Sequence, residues 1–250
     1  MSVLLMRLAG AMQSWGTQSR FSIRDTGLEP SKSGVIGLLC AALGKPREER
    51  ADDGFPTLAE LARLTMGVRV NSEGVPKVDF HTAGGAHRQG DTYGVIKASG
   101  AAGDTVTSRR HYLADADFLV GVETDDEPLL VKLDEALRQP RWQLSLGRKS
   151  FVPSVPVREQ TGVRGETLRE LFEAYISPHD LRFDGGELLR IVMDADAQTA
   201  TEVRTDVPVS FSLRRFAIRY VRTDFVPNPM LDKAAIKNEE GSDVLVEADS

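Results

Sequence analysis

Val3-Leu4-Leu5-Met6-Arg7-Leu8 is apolar at every position but Arg7 and shows no alternation of polar and apolar residues. A short run of this kind suits a central strand covered on both faces, not an edge. It stops abruptly at Gly10, where the backbone can turn or be approached closely. Met12, Gln13, Ser14 and Trp15 follow, supplying a soft apolar contact, an amide, a hydroxyl and an indole face, and Gly16 closes the stretch. A nucleobase can stack on an aromatic ring while a loop amide reads its edge. The plainer alternative is a strand, a tight turn and a buried tryptophan.

Beyond this turn, residues 17–29 read as a loop, and Ser31 or Ser33 can cap a helix that ends at Gly44. Lys32 stands at that helix start, where free N–H groups suit a phosphate; a plain capped core helix is the competing reading. A second short helix is expected over Thr57 to Leu64, with strands at Met66 to Val70 and Lys77 to Thr82. Residues 83–108 are rich in Gly and Ala, lack an apolar stripe, and read as a protruding arm. Arg109, Arg110, His111 and Tyr112 end it with side chains suited to phosphates and bases. Phe118 to Val122 reads as a strand, and Pro128 to Leu137 as a helix with leucines at helical spacing. The order strand, helix, strand, strand, insertion, strand, helix is close to a ferredoxin-like α+β arrangement, the class of RNA-recognition domains.

Gly147-Arg148-Lys149 can present N–H groups and two cations to a backbone phosphate. Pro153 and Pro156 suggest an extended linker, after which a helix at Leu168 to Tyr175 and strands at Leu188 to Met193 and Phe216 to Val221 either complete the first sheet or form a smaller one. Three regions result: 1–150 with the arm at about 83–112, a β-rich 151–227, and an acidic tail expected to be flexible over 228–250.

The net charge of −6 argues against indiscriminate coating of nucleic acid, so any polyanion site must be a local patch. The single cysteine, Cys40, lies in an apolar run and reads as a buried thiol. Neither a membrane span nor a signal peptide is present in the sequence, and a cytoplasmic location is expected. Phosphate-loop, nucleophile-elbow and zinc spacings are missing as well, and no cofactor or metal is expected. One enzymatic reading survives: metal-free RNA cleavage served by His81, His111, Tyr93, Tyr112 and Lys97.

Five ordered blocks, RLAGAMQSWG, PSKSGVIGLLCAALG, DFHTAGGA, RRHYLADADFLVGV and LGRKSFVPSVPV, give a chain that resembles the CasD family over roughly its first 160 residues. These are the RAMP-type subunits of the type I-E CRISPR surveillance complex, Cascade. The resemblance implies a ferredoxin-like, RRM-like domain with a thumb-like arm, a non-catalytic role, and the 5′ handle of the crRNA as ligand. It implies CasC and CasA as neighbours, the target DNA being read only indirectly through guide pairing. It further implies that Gly10, Met12, Gln13 and Trp15 line the handle pocket and that Lys32 and Ser33 face phosphate. Arg109, Arg110, His111 and Tyr112 would then meet RNA at the arm's base, with Arg148 and Lys149 on a glycine loop. Cleavage of the precursor falls, by the same resemblance, to a separate subunit, CasE.

Overall fold

The computed structural model describes residues 1–16, 22–50, 53–84, 105–178 and 186–231, and the backbone alone at 19–20. In chain order the first half holds β1 (Ser2–Ala9), β2 (Met12–Gln13), β3 (Ser19–Arg20), β4 (Ile23–Arg24), α1 (Lys32–Leu43) and α2 (Leu58–Arg63). β5 (Thr65–Ser72), β6 (Val75–Ala83), β7 (Val106–Ala114), β8 (Asp117–Thr124) and α3 (Glu127–Arg138) follow. The remainder is β9 (Arg158–Arg164), α4 (Leu168–Ala174), β10 (Leu188–Asp194), β11 (Glu202–Ser210) and β12 (Arg215–Pro227).

β1 lies between β8 and β9 in a seven-stranded sheet of order β11-β12-β10-β5-β8-β1-β9, and every pairing in it is antiparallel. Its side chains alternate between two cores. Leu4, Met6 and Leu8 join Val35, Ile36 and Leu39 of α1 and Leu130, Leu133 and Leu137 of α3. Val3 and Leu5 meet Leu168, Leu171 and Phe172 of α4 on the other face. Burial on both sides explains the uninterrupted apolar run. α4 lies close because Gly67 and Gly121, opposite one another on β5 and β8, carry no side chain: a Cβ there would fall 2.7 Å from Phe172 and 2.2 Å from Leu168.

Two arginines enter this second face with their partners. Arg7 pairs with Asp117. Arg69 donates to the carbonyls of Phe172 (2.8 Å) and Tyr175 (2.9 Å) where α4 ends; burial, then repulsion from Arg7, pushes its pKa down to about 10.

α1 starts and stops as its sequence suggests. Ser31, rather than Ser33, is the N-cap and accepts from the Gly34 N–H, while Gly44 ends the helix in the left-handed region at φ 76°. Cys40 is buried, which pushes its thiol pKa up to about 11 and leaves it a poor nucleophile. No helix among the described residues is long and apolar enough to cross a membrane.

The strands beyond residue 151 complete the first sheet. β9 pairs with β1, and β10 pairs with β5 and carries the β11–β12 hairpin. Asn228 is buried, and its amide donates to Gly186 O at 2.8 Å; the rest of the expected tail, 232–250, lies outside the described residues. A second, five-stranded sheet is built around β7, with β2 and β4 on one edge and β6 on the other. β6 and β7 form a ribbon paired from Val75–Ala114 to Ala83–Val106. Most of the arm expected from the sequence, residues 85–104 with Tyr93 and Lys97, lies outside the described residues.

Candidate nucleic-acid interface

The turn after β1, the 146–151 loop and the base of the ribbon meet at one point. Ser14 N donates to Leu146 O (3.1 Å), Ser14 Oγ donates to His111 O (3.2 Å), and Arg148 Nη2 donates to the same carbonyl (2.9 Å). Gly147 makes the crossing possible: its φ is +90°, and a Cβ there would lie 1.7 Å from Ser14 O. Gly10 serves the same loop, since a Cβ on it would stand 2.8 Å from the Leu146 side chain. The glycine turn and the Gly147-Arg148-Lys149 loop, far apart in sequence, are therefore one structure.

Around this crossing the arginines cluster. β4 runs parallel to β7 and places Arg24 beside Arg110, while Asp79 of β6 flanks Arg110 on the other side. Arg110 is half-buried, with its Nε donating to Ser108 Oγ at 3.1 Å. Arg148 covers the Phe151 ring at 5.3 Å, and Phe151 packs on Tyr112 with ring centroids 6.0 Å apart. Burial first, then repulsion from Arg110 and Arg24, lowers the Arg148 pKa, with Asp79 partly opposing. Among the described charges that act here, three cations face one carboxylate, and an anion would relieve their repulsion. Lys149 stands exposed beside it.

Neighbours on a strand point to opposite faces, so Arg109 and His111 project away from Arg110 and Tyr112. Arg109 is exposed and lies next to Phe80 and Ile23, themselves 66% and 54% exposed. His111 and Tyr112 accordingly do not form a joint acid–base pair, and His81 pairs with Ser108 further along the ribbon.

Three expected contacts are corrected. Gln13 is fully buried; its Nε2 donates to Leu8 O (2.9 Å) and Ala116 O (2.6 Å), and its Oε1 accepts from the Trp15 indole N–H (3.2 Å). Its amide is thus engaged by the protein and does not read a ligand's edge. Trp15 is 1% exposed, against α1 where a Cβ on Gly34 would stand 2.9 Å from the ring, so no indole face is free for stacking. Lys32 is buried: its Nζ donates to Asp194 Oδ2 (2.8 Å) and its backbone N–H to Asp206 Oδ2 (2.8 Å). The carboxylate of Asp206 thus occupies the place at the helix start where a phosphate would sit. Met12 is half-buried on β2, against the core.

Ser33 is half-buried. It lines a groove of about 740 Å³ together with Lys149, Gly37 and Ala41 of α1, Arg47, Trp142 and Phe211. Trp142 is 47% exposed. Sequence reasoning missed Arg24, Trp142 and Phe211; the tryptophan and arginines of Arg138 to Trp142 were the available signal for the second of these.

Residues 3–222 match the family described as CRISPR-associated protein (Cas_Cas5). Among curated proteins the chain is similar to the "CRISPR system Cascade subunit CasD" of Escherichia coli (strain K12), 33% identical over 159 residues. That match spans 60% of this chain and 66% of the relative, just short of two thirds of its length. Among solved structures, "Crystal structure of Cas protein" is 38% identical with a TM-score of 0.68, covering 91% of this chain and 99% of the other. A chain of "CRISPR RNA-guided surveillance complex" is 36% identical, also with a TM-score of 0.68, covering 90% of this chain and 91% of the other. A sheet-and-helix protein with a cationic ribbon base is thus similar along its length to CRISPR-associated proteins. The chain belongs to the Cas_Cas5 family of CRISPR-associated proteins.

Proposed function

We propose that this chain is a CasD-type subunit of a CRISPR surveillance complex of the Cascade kind, holding the 5′ handle of the crRNA. The arginine cluster at the ribbon base carries the reading: Arg24, Arg110 and Arg148 converge on a protein of net charge −6, which concentrates positive potential where a phosphate backbone can dock. The fold supports it. In β9-β1-β8-β5 the neighbours are antiparallel, and α1 and α3 pack on one face, as in a ferredoxin-like domain. Relatives in the same family, one titled as a Cascade subunit and one as part of an RNA-guided surveillance complex, support a place among other subunits. CasC and CasA are the neighbours we assign, with the target DNA read by the guide and the assembly working in the cytoplasm.

The role is architectural. Arg148 and the ribbon hold RNA rather than cut it, and the separation of His111 from Tyr112 across the strand supports a chain without nuclease chemistry. Titrating labelled repeat RNA against wild type and Arg110→Ala/Lys149→Ala at several salt concentrations tests the reading. Weaker binding is expected in the variant, with the salt slope falling by about 0.7 per lost phosphate contact. Equal affinity and slope remove this surface from the interface, and specific cleavage in chelator that is lost in His111→Ala makes the chain a nuclease instead.

A further inference from the structure

We infer that the small slot between α1 and the turn of the β11–β12 hairpin takes one unpaired nucleobase of the bound RNA. The inference rests on the RNA-binding reading above and adds a site that fixes one position of the strand. The slot has a volume of about 180 Å³, below the roughly 300–1,000 Å³ of a pocket for a drug-sized molecule, and so has room for a single ring system. Phe211 and Phe216 line it from the hairpin, Ser31 and Ser33 from the start of α1. Carbon-rich rings beside a hydroxyl pair are what a base needs, its faces stacked and its edge hydrogen-bonded.

The hydroxyls suit an edge of either polarity. Ser31 Oγ and Ser33 Oγ lie 3.4 Å apart, and Ser31 Oγ accepts the Gly34 N–H at 3.3 Å. Each hydroxyl offers one donor and two acceptor positions, so the pair retains capacity for a ligand. Gly34 and Gly147 border the same space, and glycine is required at both: a Cβ would meet Trp15 at the first and Ser14 O at the second. The floor of the slot is therefore fixed by packing, and the buried Trp15 ring acts as its support.

Charge selects the occupant. Arg214 and Arg215 are exposed at the hairpin turn between the two phenylalanines in sequence, and Phe216 itself is 40% exposed. The slot shares Ser33, Gly34, Gly147 and Phe211 with the larger groove that Lys149, Arg47 and Trp142 line. A strand that leaves a base in the slot finds cations for its phosphates on both sides and a further aromatic face along its path. A protein side chain could fill the recess, but the cations on both sides of it favour a strand whose phosphates repeat at each nucleotide.

The test uses the full chain and single-stranded RNA of the repeat sequence carrying one 2-aminopurine at each position in turn. Wild type is expected to change the fluorescence of one position severalfold. Phe211→Ala and Phe216→Ala should each abolish that change and lower RNA affinity by about five- to a hundredfold, while circular dichroism stays that of wild type. If RNA binds but no position responds, or the response survives in both variants, the slot is not a base site and the RNA-binding reading stands. If the variants lose association with other subunits while the fluorescence is unaltered, the slot belongs to a protein and the inference fails. A wild-type chain that binds no RNA overturns both.

Discussion

The start of α1 and the base of the β6–β7 ribbon carry similar residues and put them to opposite uses. At the helix start, Lys32, Arg219 and the backbone N–H of residue 32 are matched by Asp194 and Asp206, with Arg219 Nε 2.6 Å and Nη2 2.9 Å from the Asp206 carboxylate. At the ribbon base, Arg110 and Arg24 repel Arg148 while Asp79 attracts it, so that among the described residues that act on Arg148 the cations outnumber the carboxylate. One region has its carboxylates supplied by its own chain; the other, in the function proposed above, takes the phosphates of the RNA. Charged residues at a promising position thus become evidence of binding only after the partners inside the protein are counted.

Substitutions in the two regions should separate stability from RNA binding. The largest effect is expected from Trp15→Ala, which empties a fully buried ring site and costs about 3–5 kcal/mol in denaturant unfolding. Per folded molecule, RNA affinity is reduced as far as the Ser14 turn shifts and the slot above the ring loses its support. Lys32→Ala should cost about 2 kcal/mol, Asp194 being left with Arg219 and the Met66 N–H as its partners, and the salt slope of RNA binding should not change. A lower slope in that variant would return Lys32 to the interface and break the contrast.

The third expectation concerns pH. Burial alone would raise the Asp206 carboxyl, but hydrogen bonding and charge from Arg219, then the Lys32 N–H, hold its pKa below the ordinary 3.8. A depressed folded pKa gives stability that is fully present above the unfolded value and lost as pH falls through the folded one. Wild type should therefore exceed Asp206→Asn by a constant margin above about pH 5, and the margin should close below pH 3.8. A gap that widens in acid would show that Asp206 is not the anion of the helix start. The smallest change in stability, within about 0.5 kcal/mol, is expected for Arg24→Ala; here RNA affinity should fall instead, measured by titration at fixed salt. Unaltered affinity would mean that the arginine cluster is idle.

Local signals carried much of the fold. β1 was legible from its unbroken apolar run, and α1 and α3 from their end residues and leucine spacing. β9 was not, because Arg158-Glu159-Gln160-Thr161 is polar and becomes a strand only by pairing along β1 across a bulge. β11 was hidden by Pro208, which the outer edge of the sheet tolerates. In the candidate site the residue types were legible but their partners were not. Arg148 and Lys149 stand where the loop motif suggested. Arg24 belongs to a two-residue strand held between β7, by parallel pairing, and β3, by antiparallel pairing. Lys32 meets carboxylates 162 and 174 positions later in the chain, beyond any local pattern.

That last separation bears on how the molecule is made. Residues emerge from the ribosome in order, so the first turn of α1 exists long before Asp206 has been synthesised. Through that interval its amides and Lys32 lack the two carboxylates that they meet in the folded chain. The hairpin that brings Asp206 and Arg219 therefore closes the helix start only when translation is nearly complete, and the last stretch of the sheet to be translated neutralises the first helix in the chain.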